Sequence, residues 1–130
     1  MKQRLLIVED NPANRELLSD WLEVEGFEVT AAENLEQARA ALKGNEPHAV
    51  LLDVQLGTDD GLTLATWIRS DPALRNTPVI AVTAHAMLTD QERVLRAGCN
   101  ASISKPINFP LLREQLDRWL GQPAYMPPSP

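Results

Sequence analysis

The sequence predicts an α/β protein whose core is a doubly wound sheet of five parallel strands. Two observations support this class. Short apolar runs alternate with amphipathic helical stretches along the chain, and several runs are apolar on successive residues, as in strands covered by helices on both faces. The predicted strands span residues 4–9, 27–31, 49–53, 78–83 and 101–104.

Each predicted strand is followed by a predicted helix. Asn11-Pro12 supplies an N-cap and a first-turn proline for the first helix. The second helix stops at Gly44, the third ends at Asp71-Pro72, and the fourth ends at Gly98. Thr89 and Glu92 form a candidate capping box at the start of the fourth helix. The fifth carries a stripe of leucines at positions 112, 116 and 120.

Composition limits the classes of function. With 12 basic and 18 acidic residues, the formal net charge is -6, which gives no basic surface for nucleic acid phosphates. No apolar run approaches a bilayer-spanning length, and one cysteine forms no internal disulfide, so we expect a cytoplasmic protein that does not enter a membrane. Residues 1–121 are predicted to form one domain, followed by a Pro-rich disordered tail at 122–130.

Polar residues gather at one edge of the predicted sheet. They fall at or just past the carboxyl ends of four strands: Glu9-Asp10, Asp53, Thr83 and Lys105. That edge binds ligands in open parallel sheets. If the strand order is 2-1-3-4-5, the strand that carries none of these residues lies outside, at the edge of the sheet.

Three of these residues predict a divalent cation. The carboxylates of Glu9, Asp10 and Asp53 would repel one another unless a cation joined them, and oxygen ligands of this kind suit Mg²⁺. Adjacent side chains diverge in a regular strand, so we expect Glu9 or Asp10 to bind the metal through a water molecule. A carbonyl oxygen such as that of Gln55 could complete the site.

A carboxylate beside Mg²⁺ can attack phosphorus and form an aspartyl phosphate. Asp53 is the candidate acceptor. Lys105 can neutralise one phosphoryl oxygen, and the Thr83 hydroxyl can donate a hydrogen bond to another. We expect the Lys105 side chain to be exposed, and to contribute more to phosphate binding and switching than to the stability of the fold. The Lys105-Pro106 bond is either a simple turn or a cis peptide that aims the amine.

These residues resemble the receiver domains of bacterial two-component response regulators. The resemblance covers residues 4–120 and rests on four motifs, which are in chain order Leu6-Ile7-Val8-Glu9-Asp10-Asn11, Leu52-Asp53-Val54-Gln55-Leu56 with Gly61, Ala81-Val82-Thr83-Ala84, and Ser104-Lys105-Pro106. The third and fourth look most like the single-domain DivK type or the receivers attached to hybrid histidine kinases.

The resemblance implies a flavodoxin-like receiver fold and a signalling domain, with only Mg²⁺-dependent self-phosphorylation and self-dephosphorylation as chemistry. Phosphate would reach Asp53 from a sensor or hybrid histidine kinase, or from a histidine phosphotransfer protein. A downstream protein target would then bind the phosphorylated chain. His85 and Gln55 occupy positions that flank the incoming phosphate in this family, whereas the oligomeric state is left open.

Two positions depart from the family pattern. Ser102 stands where the family usually has an aromatic residue that follows the threonine inward. We therefore expect the output to depend on Thr83 and on the backbone of residues 84–88. Gly57 stands where the family commonly has proline, which predicts a more mobile loop after Asp53.

Three other functions compete with this one. A phosphatase of the haloacid dehalogenase kind needs a second acid two residues past the nucleophile, where Gln55 stands. A flavodoxin-like flavin carrier needs a Ser, Thr and Gly-rich phosphate loop, and Glu9-Asp10 would repel its cofactor. The third alternative is a receiver that no longer uses phosphate, which Ser102 favours. Such a protein would need none of the acids, the threonine or the lysine, so their presence argues against it.

Overall fold

The computed structural model describes residues 2–84 and 88–120, apart from the side chains of residues 88 and 89. The strands are β1 (Arg4–Val8), β2 (Glu28–Ala32), β3 (Ala49–Asp53), β4 (Gln55–Leu56), β5 (Asp59–Asp60), β6 (Val79–Thr83) and β7 (Ala101–Ser104). The helices are α1 (Pro12–Val24), α2 (Leu35–Gly44), α3 (Leu62–Ser70), α4 (Leu88–Arg96) and α5 (Phe109–Leu120). The tail at residues 122–130 and the predicted cap side chain of Thr89 lie outside this description. None of the described helices is long and apolar enough to cross a bilayer.

Five of the strands form one parallel sheet in the order β2-β1-β3-β6-β7. Here β6 and β7 are the fourth and fifth predicted strands, so both the doubly wound α/β class and the predicted order are confirmed. The observed strand bounds agree with the predicted ones to within one residue at each end. Because all five strands are parallel, their carboxyl ends meet at a single edge of the sheet.

Helices cover both faces of the sheet, and successive strand residues serve opposite cores. On β1, Leu6 and Val8 pack with buried residues of α2, α3 and α4. Leu5 and Ile7 point the other way and pack with α1 and α5. This two-sided burial explains why the central strands are apolar on every residue.

Local sequence signals fix the helix ends. The Asn11 side chain caps α1 by accepting a hydrogen bond of 3.0 Å from the Asn14 N–H, and Pro12 is the first helical residue. Two residues after α4, Gly98 adopts a φ of 108°, a backbone conformation that glycine takes without steric cost. The sequence therefore predicted the start of α1 correctly, and α4 ends two residues before the glycine predicted to stop it.

The segment after Asp53, which the sequence analysis treats as a loop, contains a short hairpin. Gln55 and Leu56 pair with Asp60 and Asp59 in an antiparallel hairpin, β4–β5. Its two-residue turn begins at Gly57, whose φ of 60° lies in the left-handed region favoured by glycine in such turns. Hydrophobic alternation could not reveal strands of only two residues.

Candidate functional site

Four separate segments of the chain bring the predicted site residues to the carboxyl edge of the sheet. They lie at or just past the ends of β1, β3, β6 and β7: Glu9, Asp10, Asp53, Thr83 and Lys105. A cleft of about 310 Å³ opens at this edge, and its lining includes Gln55 and all the members of this set except Thr83. The predicted edge cluster is therefore present in the folded chain.

Three carboxylates form the acidic part of the site. Glu9, Asp10 and Asp53 each offer one oxygen, and these oxygens lie within 4.8 Å of one another. Glu9 and Asp53 are buried, whereas Asp10 is exposed. Because β1 ends at Val8, the chain after it is free of strand geometry, and Glu9 and Asp10 both reach the cluster. Such a group of oxygens could hold a divalent cation.

Lys105 is the cation of the site. Its Nζ lies 2.9 Å from Asp53 Oδ2 and 3.4 Å from Glu9 Oε1. Only 27% of its side chain is exposed, so the expectation of an exposed lysine was wrong. Two buried carboxylates need a nearby positive charge, and this requirement draws the side chain inward. The peptide bond that joins Lys105 to Pro106 is cis, one of the two alternatives left by the sequence.

The surroundings of Glu9 shift its titration. Burial, the largest cause, raises the pKa of Glu9 from 4.5 to about 7, and the nearby Asp53 adds to this rise. Two groups oppose it: the Asn11 N–H, which donates to Oε2 at 3.1 Å, and the positive charge of Lys105. For Lys105, burial acts to lower the pKa. The hydrogen bond and the negative charge of Asp53, together with Glu9, outweigh burial and raise it, so the lysine stays cationic.

Both oxygens of the Asp53 carboxylate are held by donors. The Gln55 N–H donates to Oδ1 at 3.0 Å, and Lys105 donates to Oδ2. Thr83, at the end of the neighbouring strand, is 5% exposed. Ser102 is partly exposed on β7, in register with Ala81. His85, the remaining predicted position, lies outside the described residues.

Two glycines contribute contacts that the residue pattern alone did not assign. The Gly57 N–H donates to Asp10 Oδ2 at 3.0 Å. The Gly61 N–H donates to the Val54 carbonyl at 2.6 Å, and a Cβ at Gly61 would collide with the Asp53 carbonyl oxygen. Gly61 belongs to the acceptor motif, so its position carried a signal, whereas the role of Gly57 depends on a hairpin that the pattern does not reveal.

The fold and this edge cluster together define a receiver-type α/β signalling domain. The family profile of the response regulator receiver domain matches residues 5–117. The chain therefore belongs to the receiver-domain family of two-component response regulators.

Individual relatives agree with this assignment. The chain is 40% identical to the polar-differentiation response regulator DivK of Brucella anthropi over 121 residues, which is 93% of this chain and 98% of DivK. It also resembles the receiver domain of the Pseudomonas aeruginosa sensor histidine kinase PA1611, whose structure has a magnesium ion coordinated in the active site cleft. The TM-score is 0.85 at 35% identity, with 93% of this chain and 99% of that chain covered.

A third relative is the receiver domain of a signal transduction histidine kinase from Syntrophus aciditrophicus. Its TM-score is 0.86 at 30% identity, and the match covers 98% of this chain and 97% of that one. The similarity therefore extends to a DivK response regulator and to receivers of histidine kinases, the two types that the motifs resembled.

Proposed function

We propose that this chain accepts a phosphoryl group on Asp53 from the phosphohistidine of a sensor or hybrid histidine kinase, or of a histidine phosphotransfer protein. The phosphorylated chain then signals by binding a downstream protein. The contact of 2.9 Å between Asp53 Oδ2 and Lys105 Nζ carries this proposal. It joins a buried nucleophile to the cation that the transferred group requires, beside two further acids.

The donor set of the acidic cluster fits Mg²⁺. Three carboxylates face a single lysine in this group, which leaves an excess of negative charge for a divalent cation. Glu9, Asp10 and Asp53 would hold the ion, with the Gln55 carbonyl as a further ligand. When bound, Mg²⁺ neutralises negative charge on the phosphoryl oxygens. The magnesium-bound relative from Pseudomonas aeruginosa supports this cofactor.

The residues of the chain account for the transfer of the phosphoryl group to Asp53 and for its later hydrolysis. A carboxylate oxygen of Asp53 forms a bond to phosphorus as the P–N bond to the donor imidazole breaks, and the departing imidazole takes up a proton. Lys105 then pairs with a phosphoryl oxygen, and the Thr83 hydroxyl donates to another. Attack of water on phosphorus returns Asp53 and inorganic phosphate, which is the self-dephosphorylation expected of the domain.

The signal would pass through Thr83 and the backbone that follows it. A serine side chain is too small for its rotamers to fill or vacate a sizeable pocket, so Ser102 cannot replace a rotating aromatic ring. Movement of Thr83 towards the phosphoryl group would shift residues 84–88, of which 85–87 lie outside the described residues, together with the start of α4. Thr83→Ala should therefore be phosphorylated yet bind its target with little dependence on phosphate.

An apolar groove beside the cleft is suited to the phosphodonor protein. Its volume is about 450 Å³, and it is lined by Leu17, Leu18, Pro106, Ile107 and Phe109, together with Asn14, Glu9 and Lys105 of the cleft rim. Leu17 is 59% exposed there. Because the groove is continuous with the acceptor site, a helix bound in it would bring a phosphohistidine close to Asp53.

The acceptor is tested with acetyl phosphate and Mg²⁺, read by intact mass spectrometry. The native chain and Asp59→Asn, which removes an exposed acid on β5, should each gain one phosphoryl group. Asp53→Asn should gain none. Undiminished labelling of Asp53→Asn would refute the acceptor, and an unlabelled native chain would favour a receiver that no longer uses phosphate.

The docking groove is tested by comparing two phosphodonors. Leu17→Asp should slow transfer from a phosphorylated histidine phosphotransfer protein that labels the native chain, but should leave labelling by acetyl phosphate unchanged. Val24→Asp is the matched control, because Val24 is an 83% exposed residue at the far end of the same helix. Equal transfer rates for the two variants would count against the groove.

A further inference from the structure

The turn of the β4–β5 hairpin contacts the acidic cluster through the backbone amide of Gly57. The Gly57 N–H donates to Asp10 Oδ2 at 3.0 Å, and the two residues are 47 positions apart in the sequence. Among the described residues, no other group donates a hydrogen bond to the Asp10 carboxylate. Asp10 is also the exposed member of the acidic cluster, so this amide is what restrains its side chain.

The amide depends on the backbone conformation of Gly57. Its φ of 60° is a left-handed conformation that matches the two-residue turn of the hairpin. A Cβ added to Gly57 would lie 3.8 Å from Asp10 Oδ2, which is ordinary van der Waals contact. Space therefore does not require glycine here; the position needs a residue that tolerates this φ and keeps its N–H. Proline could supply neither, because its φ is fixed near -65° and it has no N–H.

The hairpin is itself anchored to the acceptor segment. At its start the Gln55 N–H donates to Asp53 Oδ1 at 3.0 Å. Just past its end the Gly61 N–H donates to the Val54 carbonyl at 2.6 Å. These two bonds fix the hairpin relative to the acceptor aspartate, so the Gly57 amide is held at a defined place beside the cluster.

We propose that Gly57 is a positioning residue that orients Asp10 towards the Mg²⁺ ion that the acidic cluster would hold, and thereby raises the affinity of the chain for Mg²⁺. This inference rests on the metal site of the proposed function. A carboxylate has about four lone-pair sites, so accepting one N–H leaves oxygen free for a metal ion. A donor that holds a ligand carboxylate in place reduces the ordering that metal binding must impose, and losing such a contact commonly costs about 10-fold or more in metal affinity.

The affinity of the purified chain for Mg²⁺, measured by calorimetry without any phosphodonor, tests the proposal. Gly57→Pro should weaken binding about 10-fold. Gly57→Asn should stay close to the native value, because asparagine keeps the N–H and tolerates a left-handed backbone. Equal affinity in the native chain and Gly57→Pro would overturn the inference while leaving the proposed function intact.

A double-mutant cycle separates positioning from a general effect on the fold. If Gly57 acts through Asp10, Gly57→Pro should weaken Mg²⁺ binding in the native background but have no further effect on the residual binding of Asp10→Ala. An equal loss in both backgrounds would mean that proline disturbs the hairpin without acting through Asp10, and the proposal would fail.

A readout in the absence of metal makes the test independent of Mg²⁺. The Gly57 amide hydrogen should exchange with solvent more slowly in the native chain than in Asp10→Ala, because its acceptor is lost in the variant. Equal exchange rates would overturn the contact itself. Failure of the native chain to bind Mg²⁺ would instead refute the metal site of the proposed function.

Discussion

The buried carboxyl group of Glu9 should make the metal-free protein less stable as the pH rises towards neutrality. Burial, with a contribution from Asp53, raises the pKa of Glu9 to about 7 in the folded chain, against an ordinary value of 4.5. The folded state therefore holds the Glu9 proton more tightly than the unfolded state does. Its contribution to stability is fully present below pH 4.5 and is lost as the pH rises through about 7.

The magnitude follows from the two pKa values. At about 1.4 kcal/mol per pH unit, the whole effect on the free energy of unfolding is about 3 kcal/mol, and most of it falls between about pH 5 and pH 8. Glu9 is only 5% exposed, so solvent screens it little. Glu9→Gln has nearly the same shape and does not titrate, so it should lack this part of the pH dependence.

The assay is urea denaturation in the presence of EDTA, carried out at about pH 5 and about pH 8. The difference in unfolding free energy between the native chain and Glu9→Gln should change by about 2–3 kcal/mol between these pH values. Glu23→Gln, at an exposed position of α1, should follow the native chain. Added Mg²⁺ should suppress the loss at high pH, because a cation favours the carboxylate. Parallel pH profiles for the native chain and Glu9→Gln would refute the reasoning.

Three further predictions concern stability. Gly61→Ala should lower the free energy of unfolding by about 2 kcal/mol in urea denaturation, because its methyl group would collide with the Asp53 carbonyl. The control is Gly44→Ala at the end of α2, where open space surrounds the added methyl group, and this variant should be neutral or stabilising. Asn11→Ala should cost about 1 kcal/mol in urea denaturation through loss of the α1 cap. Arg69→Leu should cost about 3 kcal/mol and lower the melting temperature, because the guanidinium donates to four oxygens of neighbouring loops. Unchanged stability of any of these variants except Gly44→Ala would contradict the contact concerned.

The sheet could be predicted because its signal is local. A strand buried on both faces, such as Ala49–Asp53, is apolar on successive residues, and glycine, proline or asparagine marks most of the element ends. The edge cluster followed from topology, since the carboxyl ends of neighbouring parallel strands must meet. The strand order thus predicted which polar residues share a site.

What the sequence could not predict depends on contacts between distant residues. Lys105 was expected to be exposed because nothing near it in sequence would bury it; its partner Asp53 lies 52 positions away. The β4–β5 hairpin was missed because three of its four strand residues are polar and each strand has only two. Its contact with Asp10 crosses 47 positions and is made by a backbone amide, which leaves no trace in residue type.

The position of the covalent phosphoryl group tests the central claim most directly. The native chain would be phosphorylated with acetyl phosphate and Mg²⁺, then treated with borohydride, which reduces an aspartyl phosphate to homoserine, and its peptides would be sequenced by mass spectrometry. Of Asp53, Asp59 and Asp60, only Asp53 belongs to the acidic cluster and pairs with Lys105, so we predict homoserine at Asp53 and at neither of the other two. Homoserine at another acid, with Asp53 unmodified, would contradict the proposed role of this site.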